Sequence, residues 1–215
     1  MPTAAVLIAD GTEEMEFTIT YDTLVRGGVA CRSLYVPDPS STETLAVAPA
    51  FAKCSRGVRI MYDATLESEV RASVVMSQCA IECVNLKSNT IFDAFIIPGG
   101  AKGADTLSKS ATVQRLVQEH LEAGKMVGMI CAGSLTALTA KLPRQELTSH
   151  PSVKADLEAH FNYSEDPVVI SGKLITSRGP GTTFPFALTL LSLLCGEDKR
   201  AEVQAPMIFP DGTPF

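Results

Sequence analysis

Two rhythms alternate along the chain. Short apolar runs rich in β-branched residues give way to stretches where apolar positions recur every three or four residues, as buried strands and amphipathic helices require. The pattern predicts a strand over 4–9, a helix over 13–26 stopped by Gly27-Gly28, and strands over 31–36 and 58–62. It resumes with 92–97, an unbroken apolar run ended by Pro98-Gly99-Gly100, then a helix over 113–123 and a strand running into Cys131. Helices over 132–141 and 151–160 follow. A hairpin of 168–170 and 174–176 turns at Gly172, and an apolar helix over 184–194 is capped by Gly196. Strand and helix in alternation predict an α/β layered fold around a mainly parallel sheet. In such sheets ligands sit beyond the carboxyl ends of the strands. That rule gathers three turns: 10–16, 98–101 and 131–134.

Two segments break the rhythm. Residues 37–53, rich in Pro, Ser, Thr and Ala, read as a surface excursion, and 72–90, a mixture of Val, Met, Cys and Ile, reads as a helix-plus-strand insertion. A length of 215 residues suits one domain over 1–215, with the insertion near 72–91 and a C-terminal tail over 207–215.

Composition narrows the partners. The net charge of −6 and a pI near 5.1 leave no electrostatic footprint for nucleic acid or an anionic membrane, so small molecules or proteins are expected. The opening apolar run lacks a basic leader and meets Asp10, Glu13, Glu14 and Glu16, as a first strand would and a signal peptide would not. No apolar run approaches the roughly 20 residues that span a bilayer. Six scattered cysteines without a secretory signal read as reduced thiols of a cytoplasmic protein. Cys79 and Cys83 stand four apart, but no second Cys or His pair completes a metal set, and no metal is expected.

Cys131 carries the strongest chemical signal. In Met126-Val-Gly-Met-Ile-Cys131-Ala-Gly-Ser134 a strand ends abruptly at the cysteine and a helical pattern begins. A thiol at such a turn feels the helix's positive end, which stabilises the thiolate. The competing reading is an inert buried cysteine. The spacing is not that of the G-x-S-x-G elbow, so a hydrolase fold does not follow.

A nucleophile needs a proton-handling partner and a pocket for developing charge. Glu16 lies in the first turn of the helix after the first strand, within reach of the same crevice, but Glu13 and Glu14 share that position. His150, before Pro151, would be presented on a loop; His120 and His160 read as polar-face helix residues. Pro98-Gly99-Gly100 offers unobstructed backbone N–H groups, the requirement for an oxyanion hole. Arg178-Gly179-Pro180-Gly181 reads either as an anion-attracting helix start or as a tight connection.

Together these residues resemble the ThiJ/PfpI superfamily, in particular its branch typified by the parkinsonism-associated protein deglycase. The matching stretches are Val6-Leu-Ile-Ala-Asp-Gly-Thr-Glu-Glu-Met-Glu16, Asp63-Ala-Thr-Leu-Glu67, Ile97-Pro-Gly-Gly100, Ile130-Cys-Ala-Gly133, Thr148-Ser-His-Pro151, Ile175-Thr-Ser-Arg-Gly-Pro-Gly-Thr182 and Val203-Gln-Ala-Pro206. The resemblance implies a flavodoxin-like three-layer sandwich that forms homodimers in the cytoplasm and nucleus. It implies Cys131 as nucleophile, Glu16 as its hydrogen-bonded proton shuttle and His150 as their neighbour. Gly100 and Ala132 would donate the oxyanion-hole amides, with Gly99 beside them. Arg26 and Arg56 would line an anion pocket, and Cys54 would be a second redox-sensitive thiol near a dimer interface.

The activity implied is conversion of methylglyoxal or glyoxal to the hydroxy acid without glutathione or any other cofactor, with deglycation of protein side chains and defence against oxidative stress. Four departures bear on substrate and entrance: Ala101 stands where relatives often carry Asn, Ser134-Leu135 replaces a Pro-Thr step, and the insertion around 72–91 and the Pro210-Asp-Gly-Thr-Pro-Phe215 tail are unlike the compact members. The rival function is a redox sensor or chaperone in which Cys131 is oxidised to a sulfinate held by Glu16. An amidotransferase or peptidase would need His150 on the thiol and an acid behind its ring.

Overall fold

The protein's structure, a computed structural model, describes residues 1–38, 48–71 and 92–213. In chain order it runs β1 (Thr3–Ile8), α1 (Glu14–Arg26), β2 (Ala30–Tyr35), β3 (Ala52–Lys53), β4 (Arg59–Ile60), β5 (Ala64–Thr65) and β6 (Ala94–Ile97). Next come α2 (Ala101–Lys109), α3 (Ala111–Glu122), β7 (Met126–Ile130), a 3₁₀ turn over Cys131–Ser134, α4 (Leu135–Thr139) and β8 (Glu146–Leu147). A second 3₁₀ turn (Pro151–Val153) leads into α5 (Lys154–Glu158), β9 (Asn162–Tyr163), β10 (Val168–Ser171), β11 (Leu174–Ser177), α6 (Thr183–Cys195) and α7 (Glu197–Gln204).

Seven strands form one sheet in the order β10-β11-β7-β6-β1-β2-β5, parallel except for the edge strand β10. Its centre follows from sequence: β6 and β7 are buried at every position, as strands covered on both faces must be. Register carries Val6 to Ile96, Gly128 and Ile175 across four strands. Successive side chains leave opposite faces. Phe95 stacks on His120 of α3 at 4.8 Å, whereas a Cβ on Gly128, paired with Ile96, would touch Phe186 of α6. α1 and α6 therefore cover one face and α3 the other, giving the three-layer, flavodoxin-like sandwich expected. Each fully buried Phe, Ile or Leu of this core contributes about 1.5–3 kcal/mol relative to exposure.

The structure departs from the sequence expectations at several places. The strand at 58–62 shrinks to Arg59–Ile60, which pairs with β3 outside the main sheet, and Ala64–Thr65 takes the sheet edge beside β2. Helix α2 is not among the elements predicted after the 98–101 turn; a Cβ on Gly103 would lie 2.6 Å from Thr12 Cα, so this helix needs a glycine to approach the β1–α1 turn. His120 is fully buried rather than on a polar face. In the tail given as 207–215, Phe209 meets Phe184 edge-to-face at 5.0 Å. The insertion near 72–91 lies outside the described residues.

Candidate active site

The carboxyl ends of β1, β6 and β7 bring three turns together. The first is the start of α1, where three consecutive-looking acids are given different work. Glu13 is the N-cap, its Oε2 accepting the Glu16 N–H at 2.8 Å. Glu14 turns toward the loop before β4, accepting from Ser55 Oγ at 2.7 Å and from the Arg56 N–H at 2.8 Å. Burial pushes the Glu14 carboxyl up, but the Ser55 and backbone hydrogen bonds outweigh it and hold the carboxyl below its usual range. Glu16 alone points inward. It shares the buried stripe of α1 with Phe17, Thr20, Thr23 and Leu24, and it is fully enclosed.

The second turn is Pro98-Gly99-Gly100. The Gly99 N–H donates to Glu16 Oε2 at 2.7 Å, and its carbonyl accepts the Glu13 N–H at 3.1 Å. Gly99 is therefore committed to holding Glu16 and is not free as an oxyanion donor. A Cβ on Gly99 would stand 2.6 Å from Cys131 Cβ and 2.8 Å from Glu16 Oε2, so the residue is the spacer that lets acid and thiol meet. Gly100 has φ 85° and leads into α2; any side chain would also strike the Gly11 carbonyl and the Glu13 amide.

The third turn holds the nucleophile candidate. Cys131 sits between β7 and the 3₁₀ turn with φ 62°, a left-handed conformation that costs a non-glycine residue on the order of 1 kcal/mol or more. This strain falls at the one residue whose thiol meets the Glu16 carboxyl through a hydrogen bond. The backbone N–H groups of Ala132 and Gly100 also reach the sulfur. Cys131 is buried, with 8% of its surface exposed.

Electrostatics couples the two groups. Burial, partly offset by the hydrogen bonds from Cys131 and Gly99, pushes Glu16 up to about 7. Burial, the charge of Glu16 and the hydrogen bond to it push the Cys131 thiol up to about 12, against the lowering effect of the Ala132 and Gly100 amides. The direction is opposite to the lowering expected from a helix terminus. The sulfur is too buried, and the turn followed by the five-residue α4 is too short to supply a strong dipole. Among the described residues no hydrogen bond reaches the buried Glu16 Oε1.

His150 joins the site through its backbone, its N–H donating to the Cys131 carbonyl at 3.3 Å. The ring accepts the Ser152 N–H at Nδ1 at 3.2 Å and also meets Ser152 Oγ at 2.8 Å, which places the proton of the neutral imidazole on Nε2. Among the described residues no carboxylate hydrogen-bonds this ring, so the orienting acid of a Cys-His-acid triad is missing.

The remaining candidates separate. Arg56, Lys53, Lys102, Asp10 and Cys54 line a cavity of about 380 Å³ that reaches Ala101, one residue from Gly100. Arg26 does not join them within one chain: it lies at the far end of α1, about 18 Å along the axis from Glu14 at 1.5 Å per residue, ion-paired with Asp22 at 2.6 Å. Cys54 is buried, and desolvation together with Glu14, Glu13 and Asp10 pushes its thiol up to about 11. Arg178 binds the Glu165 carbonyl at 2.6 Å. No group of three or more metal-ligating side chains occurs among the described residues.

A profile of the DJ-1/PfpI family matches residues 2–193. The chain belongs to the DJ-1/PfpI family. Within that family it is 34% identical over 212 residues to the glutathione-independent glyoxalase DJ-1 of Schizosaccharomyces pombe, covering 98% of this chain and all of that one. It is 33% identical over 211 residues to the Parkinson disease protein 7 homolog of Danio rerio, covering 97% of each. It is also 34% identical over 203 residues to the glutathione-independent glyoxalase DJR-1.2 of Caenorhabditis elegans, covering 94% of this chain and 93% of that one. Among solved structures, Schizosaccharomyces pombe DJ-1 superposes with a TM-score of 0.79 at 34% identity over 97% of this chain and all of that one. Drosophila melanogaster DJ-1beta gives 0.78 at 31% identity, covering 97% and 98%.

Proposed function

We propose that this DJ-1/PfpI protein is a cofactor-independent, glutathione-independent glyoxalase that converts methylglyoxal to lactate at Cys131. One observation carries the reading: Glu16 and the amides of Gly100 and Ala132 converge on the sulfur of Cys131. The names of the yeast and nematode relatives support the same activity class.

The steps follow from the geometry. Glu16 takes the thiol proton as sulfur adds to the aldehyde carbon, and the Gly100 and Ala132 N–H groups stabilise the oxyanion of the resulting hemithioacetal. With a pKa near 7, Glu16 is poised to accept and return protons at neutral pH. It moves the C1 proton toward C2 through an enediol, with His150 Nε2 assisting, and the product is a lactoyl thioester on Cys131. Water releases lactate and restores the thiol, so no electrons enter or leave. The same site would act on glyoxal and on the aldehyde-derived adducts of protein side chains, giving the protein a place in carbonyl and oxidative stress defence. Lactate appearing from methylglyoxal in a solution of purified protein without added thiol tests the reading; its absence under any pH from 6 to 9 would remove it.

A redox-sensor role uses the same contacts, since the amides and a protonated Glu16 would hold a Cys131 sulfinate. The catalytic reading is preferred on the names of the yeast and nematode relatives, since both roles draw on the same sulfur.

A further inference from the structure

The loop that carries His150 is fastened from below by buried hydroxyls that take no part in the chemistry described. Ser134, the last residue of the 3₁₀ turn that begins at Cys131, donates from Oγ to the Thr148 carbonyl at 2.9 Å. The Thr148 N–H in turn donates to Thr176 Oγ1 at 2.9 Å, and Thr176 sits on β11 in register with Met129 of β7. Ser134, Thr148, Ser149 and Thr176 are all completely buried. Tyr163 Oη donates to the Ser149 carbonyl at 3.0 Å, and the His150 N–H closes the run on the Cys131 carbonyl at 3.3 Å.

Three successive residues, 148, 149 and 150, are therefore pinned, and two of the pins come from one four-residue turn. The strand that ends at the nucleophile, the turn that starts with it and the neighbouring strand β11 together fix where His150 begins. The ring is then set by Ser152. Neither Ser134 nor Thr176 hydrogen-bonds the Cys131 thiol or the Glu16 carboxyl, so their effect on a reaction passes through the loop. Ser134 also stands where the resemblance expects proline, which has no hydroxyl to give, so this fastening belongs to this chain.

We propose that Ser134 and Thr176 are positioning residues that clamp the His150 loop to the nucleophile turn. The proposal rests on the reaction assigned above to Cys131 and His150, and it predicts an effect that vanishes when His150 is absent. Buried donors and acceptors in one network lose their function together, and a double-mutant cycle separates such coupling from general damage.

The test uses Thr176→Val, which removes the acceptor while keeping the shape, Thr176→Ser, which restores it, and Ser134→Ala, each alone and in a His150→Ala background. We expect kcat for lactate formation to fall about tenfold in T176V and S134A with KM within about twofold of wild type, T176S to recover most of it, and neither substitution to cost anything further in H150A. An equal fall with and without His150 would overturn the clamp, as would wild-type kcat in folded T176V. If S134A does not fold, the T176V and T176S pair decides. The His150 ring nitrogen shifts give a readout independent of turnover: a displaced or broadened Nδ1 signal in T176V supports the clamp and an unchanged one overturns it, even if the wild type makes no lactate and the reaction fails separately.

Discussion

The Gly99 amide holds Glu16 Oε2 at 2.7 Å, and this bond orients the acid that serves Cys131. One oxygen is fixed on the backbone of the strand end, the thiol meets the same carboxyl, and no hydrogen bond among the described residues reaches the buried Oε1. Burial dominates the shift of this carboxyl to about 7, which suits the proton-carrying role proposed for it.

That shift has a signature in stability. The folded protein holds the Glu16 proton more tightly than the unfolded chain, whose value is 4.5, so this group's stabilising contribution is full below pH 4.5 and is lost as pH rises through about 7. The loss amounts to about 3 kcal/mol at 1.4 kcal/mol per pH unit. Glu16→Gln should flatten this part of the denaturant-derived stability profile between pH 4.5 and 8 and lower kcat/KM at least 100-fold. A profile as steep as that of the wild type would show that Glu16 is not the group titrating.

Gly99→Ala tests the spacer role. Its φ is not positive, so only crowding opposes the methyl group, which would stand 2.6 Å from Cys131 Cβ and 3.0 Å from the Ala132 nitrogen. We expect a folded protein destabilised by about 1–3 kcal/mol with kcat/KM reduced at least 100-fold, read by thermal melting and steady-state kinetics. Normal kinetics would mean that the acid–thiol contact tolerates being pushed apart.

The division of labour among the three acids can be checked directly. Glu14→Gln weakens the Ser55 and Arg56 contacts at a partly solvated site, costing about 1 kcal/mol, and should leave kcat within about threefold of wild type. Glu13→Gln weakens the cap and should behave similarly. A loss from either as large as that from Glu16→Gln would show that the crevice uses more than one carboxyl.

His120 sets the acid limit of the fold. Its Nδ1 donates to the Leu116 carbonyl at 2.7 Å and its Nε2 accepts the Phe92 N–H at 3.1 Å, so the buried ring is neutral, and desolvation holds its pKa below the ordinary 6.5. A depressed histidine contributes stability that is present above pH 6.5 and is lost as pH falls through the folded value. His120→Gln should cost about 1–3 kcal/mol at pH 7.5 and remove this acid-side slope in urea melts at pH 5 to 7. An unchanged slope would assign it to other groups.

These residues also show which parts of the fold were legible beforehand. The central strands could be read because β1, β6 and β7 are apolar almost throughout, and burial on both faces demands that. Cys131 and the 98–100 turn could be read because strand ends and glycines mark the crevice of a parallel sheet. Position alone did not choose among Glu13, Glu14 and Glu16, yet helix phase would have. Glu16 stands four, seven and eight residues before Thr20, Thr23 and Leu24 on the buried stripe, while Glu14 lies about 200° around the axis from it. The burial of His120, the separation of Arg26 from Arg56 and the hydroxyls beneath His150 were not legible. Each depends on which element packs against which, and no local pattern records that.

The most direct test of the central claim, that Cys131 and Glu16 act as one proton-sharing pair, is lactate formation from methylglyoxal by wild type, Cys131→Ser and Glu16→Gln side by side without added thiol. The account predicts turnover by the wild type alone, with both variants reduced at least 100-fold. Turnover near the wild-type rate in either variant would contradict it.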